Sequence, residues 1–152
     1  MHFKKDTRKL TWAEIENDVQ KRAGKKDRKF RLKGKWKKFL RVQDNLKVYV
    51  VDGEWVRNNL SIIYGHGGHG YVHEFIPLDE IWASTHHYGT CGCDNLKKKN
   101  QKCSKEYFES TIIHEIEEFK RMKKGMKFHH AHQMALKKER EVGLLKDPTA
   151  EN

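Results

Sequence analysis

Residues 104–143 read SKEYFESTIIHEIEEFKRMKKGMKFHHAHQMALKKEREVG, and the spacing of their apolar residues predicts two helices folded back at Gly125. Ser104 is placed to cap the first, which runs to about Lys124. Lys120, Arg121, Lys123 and Lys124 suit the negative end of its dipole. Phe108, Ile112, Ile116 and Phe119 recur as its apolar stripe. The second helix spans roughly Lys127 to Val142, with Gly143 just past its end, and collects Phe128, Ala131, Ala135 and Val142 on one face.

Polar residues share these faces. His114 and Glu118 lie one turn apart, about 40° around the helix from each other. His132 and Glu139 sit on the apolar side of the second helix, a costly place for polar groups without partners. His130 projects away, and His129 lies at the margin. His132 and Glu118 are each seven residues from Gly125, and His114 is eleven, so an antiparallel pair brings the three to nearby levels. Two imidazoles and a carboxylate form a three-ligand set with an open position, suited to one catalytic zinc. Glu115 is then the expected base for water, and Glu139 the expected partner of the second ring nitrogen of His132. The same residue types also make the two-histidine, one-carboxylate set of non-heme iron. A plain helical pair with mutually hydrogen-bonded His and Glu is the simplest alternative.

The run His114-Glu115-Ile116-Glu117-Glu118 resembles the active-site helix of the zincin metallopeptidases, whose motif is H-E-x-x-H with a third ligand downstream. By this resemblance His114 is the first ligand and Glu115 the base. Glu118 stands where the second histidine belongs, and His132 follows downstream, as if two ligands of the gluzincin set were exchanged. Val51 to Glu139 is also similar to small, poorly characterised phage and prokaryotic proteins. The shared pattern is VDGxxVR, GGH, IPxxEIW, HExxE and AHxxAxxxE. The resemblance implies a metallopeptidase-like fold and leaves the substrate open.

Upstream, Lys47–Val51 and Glu54–Arg57 read as two strands joined by a tight Asp52-Gly53 turn. Tyr71–Ile76 and Glu80–Ala83 are further strand candidates. Between them, Gly65-His-Gly-Gly-His-Gly70 lacks the Lys-Ser/Thr of a phosphate loop. It is expected to be a flexible turn, a substrate-facing loop, or a source of metal ligands from His66, His69 and His73. Cys91, Cys93 and Cys103, with His87, have the composition of a second, structural zinc site, although ordinary thiols fit the loose spacing as well. Tyr64, Tyr71, His69 and Tyr107 are candidates to stabilise an oxyanion.

The charge is uneven. The chain of 152 residues carries net charge +11, and residues 1–48 hold 17 Lys/Arg against 6 Asp/Glu, so the excess lies at the front. A helix over Thr11–Gly24 and two basic strands around Gly34 are expected there, with Phe30 and Leu32 in the first. Lys29, Arg31, Lys33, Lys35, Trp36, Lys37 and Lys38 are candidate contacts for DNA or RNA, through phosphate neutralisation and base stacking. A solvated basic face whose aromatics anchor it to the core is the plainer reading. A mean hydropathy of −0.96 is offset by 16 aromatic residues, which argue for a packed core. No apolar run approaches the roughly 18 residues of a membrane span, and no signal peptide is evident, so a cytoplasmic protein with reduced cysteines is expected.

Together these features predict an α+β fold: a small antiparallel sheet followed by an antiparallel helical hairpin carrying the metal site. Residues 1–44 form a basic N-terminal region and residues 45–152 a zincin-like metal-binding domain. The expected activity is zinc-dependent hydrolysis of a peptide or protein, localised to nucleic acid by the front. The alternatives are a zinc-stabilised nucleic-acid-binding protein without catalysis and a metal-dependent phosphodiesterase or nuclease.

Overall fold

The computed structural model describes residues 31–60, 64–84 and 105–144. In chain order these form β1 (Lys37–Gln43), β2 (Leu46–Val51), α1 (Gly53–Asn59), β3 (Gly67–His69), β4 (Glu80–Ser84), α2 (Lys105–Lys123) and α3 (Phe128–Val142). The fold is α+β, as expected. The helix over 11–24, Lys29, Phe30, and the loop with His87, Cys91, Cys93 and Cys103 lie outside the described residues.

The sheet is mixed rather than antiparallel. Its order is β1-β2-β4-β3, and β2 pairs with β4 in parallel, Val48 opposite Ile81 and Val50 opposite Ala83. The outer pairs, β1 with β2 and β3 with β4, are antiparallel. A parallel neighbour needs a crossover connection, which α1 and β3 supply.

Three local expectations are corrected. The two-residue turn with positive φ is Asp44-Asn45 (φ 52° and 65°), which joins β1 to β2. Asp52-Gly53 instead starts α1: the Asp52 carboxylate caps it by accepting from the Trp55 N–H at 3.2 Å. Gly53 serves close approach, since a Cβ there would lie 2.3 Å from Ser84 Oγ. Tyr71–Ile76 is a series of turns, because its amides are taken locally: His73 N–H donates to His69 O and Ile76 N–H to His73 O. The first of the two basic strands is likewise absent at residues 31–33, whereas β1 matches the second.

β4 is buried along its whole length and faces two ways. Ile81 and Ala83 pack with Leu46, Val48, Ile112, Ile116 and Phe119 beneath α2. Trp82 turns to the opposite face with Val51, Val56, Tyr64, Phe75 and Ile76. A third cluster of Val72, Met122, Phe128 and Ala131 ties the turns after β3 to the helical pair. At Gly125 (φ 99°) α2 closes with paired bonds from Gly125 N–H to Met122 O and Met126 N–H to Arg121 O. Across the pair, Ser110 meets Glu139 and Glu118 meets His132. Among the described residues no helix is long and apolar enough to cross a membrane.

The basic strand belongs to this sheet. Lys37 Nζ, on a side chain only 5% exposed, lies 2.7 Å from Glu80 Oε1 and above the rings of Tyr49 and Trp82. Arg31 bridges Asp79 and Glu80 at 2.6 and 2.9 Å. Trp36 stacks on Trp55 at 4.4 Å and meets Trp82 edge-on. These three expected nucleic-acid contacts are therefore engaged within the fold, while Lys33, Lys35 and Lys38 are exposed.

Candidate metal centre

The centre lies where α2 and α3 face each other. The apolar stripe of α2 is held by the sheet, so the adjoining face, with Ser110, His114 and Glu118, is presented to α3. On α3, burial of Phe128, Ala131, Ala135 and Leu136 turns His132 and Glu139 toward α2. His114 Nε2, His132 Nδ1 and Glu118 Oε2 then form a triangle. Its edges are 3.0 Å (His114–Glu118), 3.1 Å (His114–His132) and 3.1 Å (His132–Glu118). The side chain of His132 is 14% exposed against 5% and 3% for His114 and Glu118, so the triangle is reached from the His132 side.

Glu139 is buried beside this triangle, but its partner differs from the expected one. Its Oε2 accepts from His114 Nδ1 at 2.9 Å, and its Oε1 accepts from Ser110 Oγ at 2.5 Å. The reason is axial distance. His132 and Glu139 are seven residues apart on one helix, roughly 10 Å along its axis, whereas the fold at Gly125 sets Glu139 level with Thr111. The carboxylate therefore fixes the hydrogen of His114 on Nδ1 and directs Nε2 at Glu118 and His132.

Glu115 is 8% exposed, and its Oε2 lies 3.9 Å from His114 Nε2. Burial, reinforced by the negative charge of Glu118, raises its pKa well above the usual carboxylate value, despite the opposing pull of His114. Glu118 goes the other way. Burial opposes its charge, but hydrogen bonds from His114, His132 and His69 outweigh that cost and lower its pKa well below the usual value. Burial also opposes charge on His114, yet its bonds to Glu118 and Glu139 raise its pKa well above 6.5. The sheet comes close here because residue 67 is glycine: a Cβ would sit 2.7 Å from Thr111 Cγ2 and 2.8 Å from Glu115 Cγ.

The glycine-rich stretch, expected as a flexible turn, instead forms β3 over Gly67–His69, paired with β4, and contributes one histidine to the cluster. His69, at the end of β3, is fully buried, and its Nε2 lies 2.8 Å from Glu118 Oε1. His66 and His73 are buried elsewhere, against Tyr107 and against Phe75 and Tyr64 respectively. Tyr64 and Tyr107 are core residues, and Tyr71 packs on Phe119. His129 and His130 are exposed, as the helical reading expects. Among the described residues two donor groupings close enough for one cation occur, His114/Glu118/His132 and His69/Glu115/Glu118, with Glu118 in both. The sequence carries no periodic signal at His69, since three glycines surround it.

The chemistry of the first grouping suits a transition-metal ion. It has two nitrogen donors and one carboxylate oxygen, mutually about 3 Å apart, with the far nitrogen of His114 held by a carboxylate. Comparison with protein-family profiles, curated proteins and solved structures finds no match to this chain.

Proposed function

We propose that the chain is a zinc-dependent hydrolase of the metallopeptidase type, with His114, Glu118 and His132 holding the ion and Glu115 as the base. The observation that carries this reading is the triangle of donor atoms with 3.0–3.1 Å edges, beside a buried carboxylate, Glu115, that belongs to none of the three edges. Zinc held there would act as a Lewis acid toward a carbonyl and make water a nucleophile at neutral pH. The residues around it have separable tasks. Glu139 orients His114, Glu118 supplies the negative charge, and Glu115 takes a proton on a carboxylate oxygen and returns it to the leaving amine. The raised pKa of Glu115 suits that exchange, because a carboxylate made more basic by burial is a better proton acceptor than an ordinary one. The partially exposed edge at His132 is the side from which an extended peptide reaches the centre.

We also assign DNA or RNA contact, as a localising function, to the exposed Lys33, Lys35 and Lys38 and not to the engaged Arg31, Trp36 and Lys37.

The test is hydrolysis of unstructured peptides and of single- and double-stranded nucleic acid by wild type and Glu115→Gln, with and without chelator. Peptide cleavage that is abolished by chelator, and lost in Glu115→Gln with metal retained, is the expected result. Cleavage of nucleic acid alone would replace the peptidase by a phosphodiesterase. Full peptidase activity in Glu115→Gln would reject the base.

A further inference from the structure

His69 belongs to two descriptions that exclude each other. As a third donor with Glu115 and Glu118 it would hold a second ion, with Glu118 bridging. As a hydrogen-bond donor it would hold Glu118 and bind no ion. The two require opposite ring tautomers. A neutral imidazole has one N–H and one lone pair, and a nitrogen that ligates a metal must be the one without hydrogen.

The backbone chooses between them. The N–H of Tyr71 donates to His69 Nδ1 across 3.2 Å, so Nδ1 carries the lone pair and Nε2 the hydrogen. That hydrogen points at Glu118 Oε1, 2.8 Å away. Glu118 is thus divided. Its Oε1 is occupied by His69, and its Oε2 faces His114 Nε2 and His132 Nδ1. The arrangement is rigidly backed: His69 is fully buried, its ring meets Phe119 at 5.7 Å, and β3 is paired to β4 through His69 opposite Ile81.

We infer that His69 is a positioning residue that holds Glu118 to single-oxygen coordination, so that the centre takes one ion, with Glu118 presenting only Oε2 to it. This rests on the metal reading above and adds to it a member from the sheet, making β3 part of the centre. The Gly67-Gly68-His69 strand acquires a purpose: Gly67 lets β3 approach α2, and His69 uses that approach to reach the ligand's distal oxygen.

The experiment uses the full chain carrying Cys91→Ser, Cys93→Ser and Cys103→Ser, so that thiols do not bind the probe, which is cobalt(II). His69→Leu removes the donor and keeps bulk; His69→Gln returns an N–H near the Nε2 position. Binding of one cobalt is expected in the parent, weakened about 10- to 100-fold in His69→Leu and largely restored in His69→Gln. The visible cobalt absorption should weaken in His69→Leu, because a freed Glu118 chelates with both oxygens and raises the coordination number. Thermal melting of the chelator-treated proteins separates these effects from loss of fold. In the zinc-loaded parent, the 15N shifts of the His69 ring should show hydrogen on Nε2 and a lone pair on Nδ1, a readout that needs no variant at this position. Two cobalts falling to one in His69→Leu, or a metal-bound Nε2 in the 15N spectrum, would overturn the inference and make His69 a ligand. Unchanged affinity and absorption in His69→Leu would overturn it while leaving the three-donor centre standing. A parent that binds no cobalt would remove the centre itself.

Discussion

His114 Nδ1 and Glu139 Oε2 are 2.9 Å apart, although 25 residues separate them in the chain. This bond joins the two helices at the level where the donor atoms meet, and it decides which nitrogen of His114 faces them. Ser110 holds the other oxygen of the same carboxylate, so the orientation is passed from α2 through α3 and back to α2.

Glu139→Ala is therefore expected to weaken metal binding about 10- to 100-fold while leaving the three donors in place. Glu139→Gln should lie between it and wild type, since an amide oxygen still accepts from Nδ1 without the charge. Competition against a chromophoric chelator measures both. Equal affinity in all three proteins would remove Glu139 from the centre.

The metal-free protein should lose stability as pH rises above neutrality. His114 has a folded pKa well above 6.5: burial opposes its charge, but Glu118 and Glu139 outweigh it. Its contribution is fully present below 6.5 and is lost as pH rises through the raised value. Glu115, raised mainly by burial, has the same sign, its contribution being present below the usual 4.5 and lost on the way up. Glu118 is lowered, so its contribution is present above 4.5 and lost as pH falls through the lowered value. Loaded protein should show the opposite trend above neutrality, because the ion takes the place of the proton on His114 Nε2. Urea denaturation from pH 6 to 9, with and without chelator, checks this; parallel curves would contradict it.

Lys37 and its exposed neighbours should separate stability from nucleic-acid binding. Lys37→Ala breaks a buried ion pair with Glu80 and is expected to cost about 3 kcal/mol, with Arg31 still holding Glu80. Replacing Lys33, Lys35 and Lys38 by Ala together should leave the melting temperature within a few degrees and weaken salt-dependent DNA or RNA binding. Loss of binding from Lys37→Ala in still-folded protein would reverse the assignment.

The helical pair was the most legible part of the chain. Its apolar residues repeat at the helical period, and Gly125 and Gly143 stop both helices with positive φ. Counting from Gly125 sufficed to bring His132 to Glu118. The same count places Glu139 beside Thr111, next to Ser110 and His114, so its true partner was available from spacing alone. The sheet was less legible. Val48 pairing in parallel with Ile81 depends on a crossover, which no alternation pattern within β2 or β4 encodes. Asp52-Gly53 has turn chemistry, yet the nearby Ser84 hydroxyl and the Trp55 amide turn it into a helix start. Lys37 looked like a surface residue, and Trp36 could be read either as a base-stacking contact or as an anchor to the core, because their partners, Glu80, Trp82 and Trp55, are far along the chain. His69 was a candidate ligand from its residue type, but its partner was hidden for the same reason: only the pairing of β3 with β4 carries it to Glu118.

The central claim is that His114, Glu118 and His132 hold one metal ion, and metal content tests it most directly. Protein purified without added metal would be analysed by mass spectrometry as wild type and as His114→Ala/His132→Ala, both in the Cys91→Ser/Cys93→Ser/Cys103→Ser background. We expect about one zinc per chain in the first and none in the second. Zinc that persists in the double variant, or is absent from both proteins, would contradict the account.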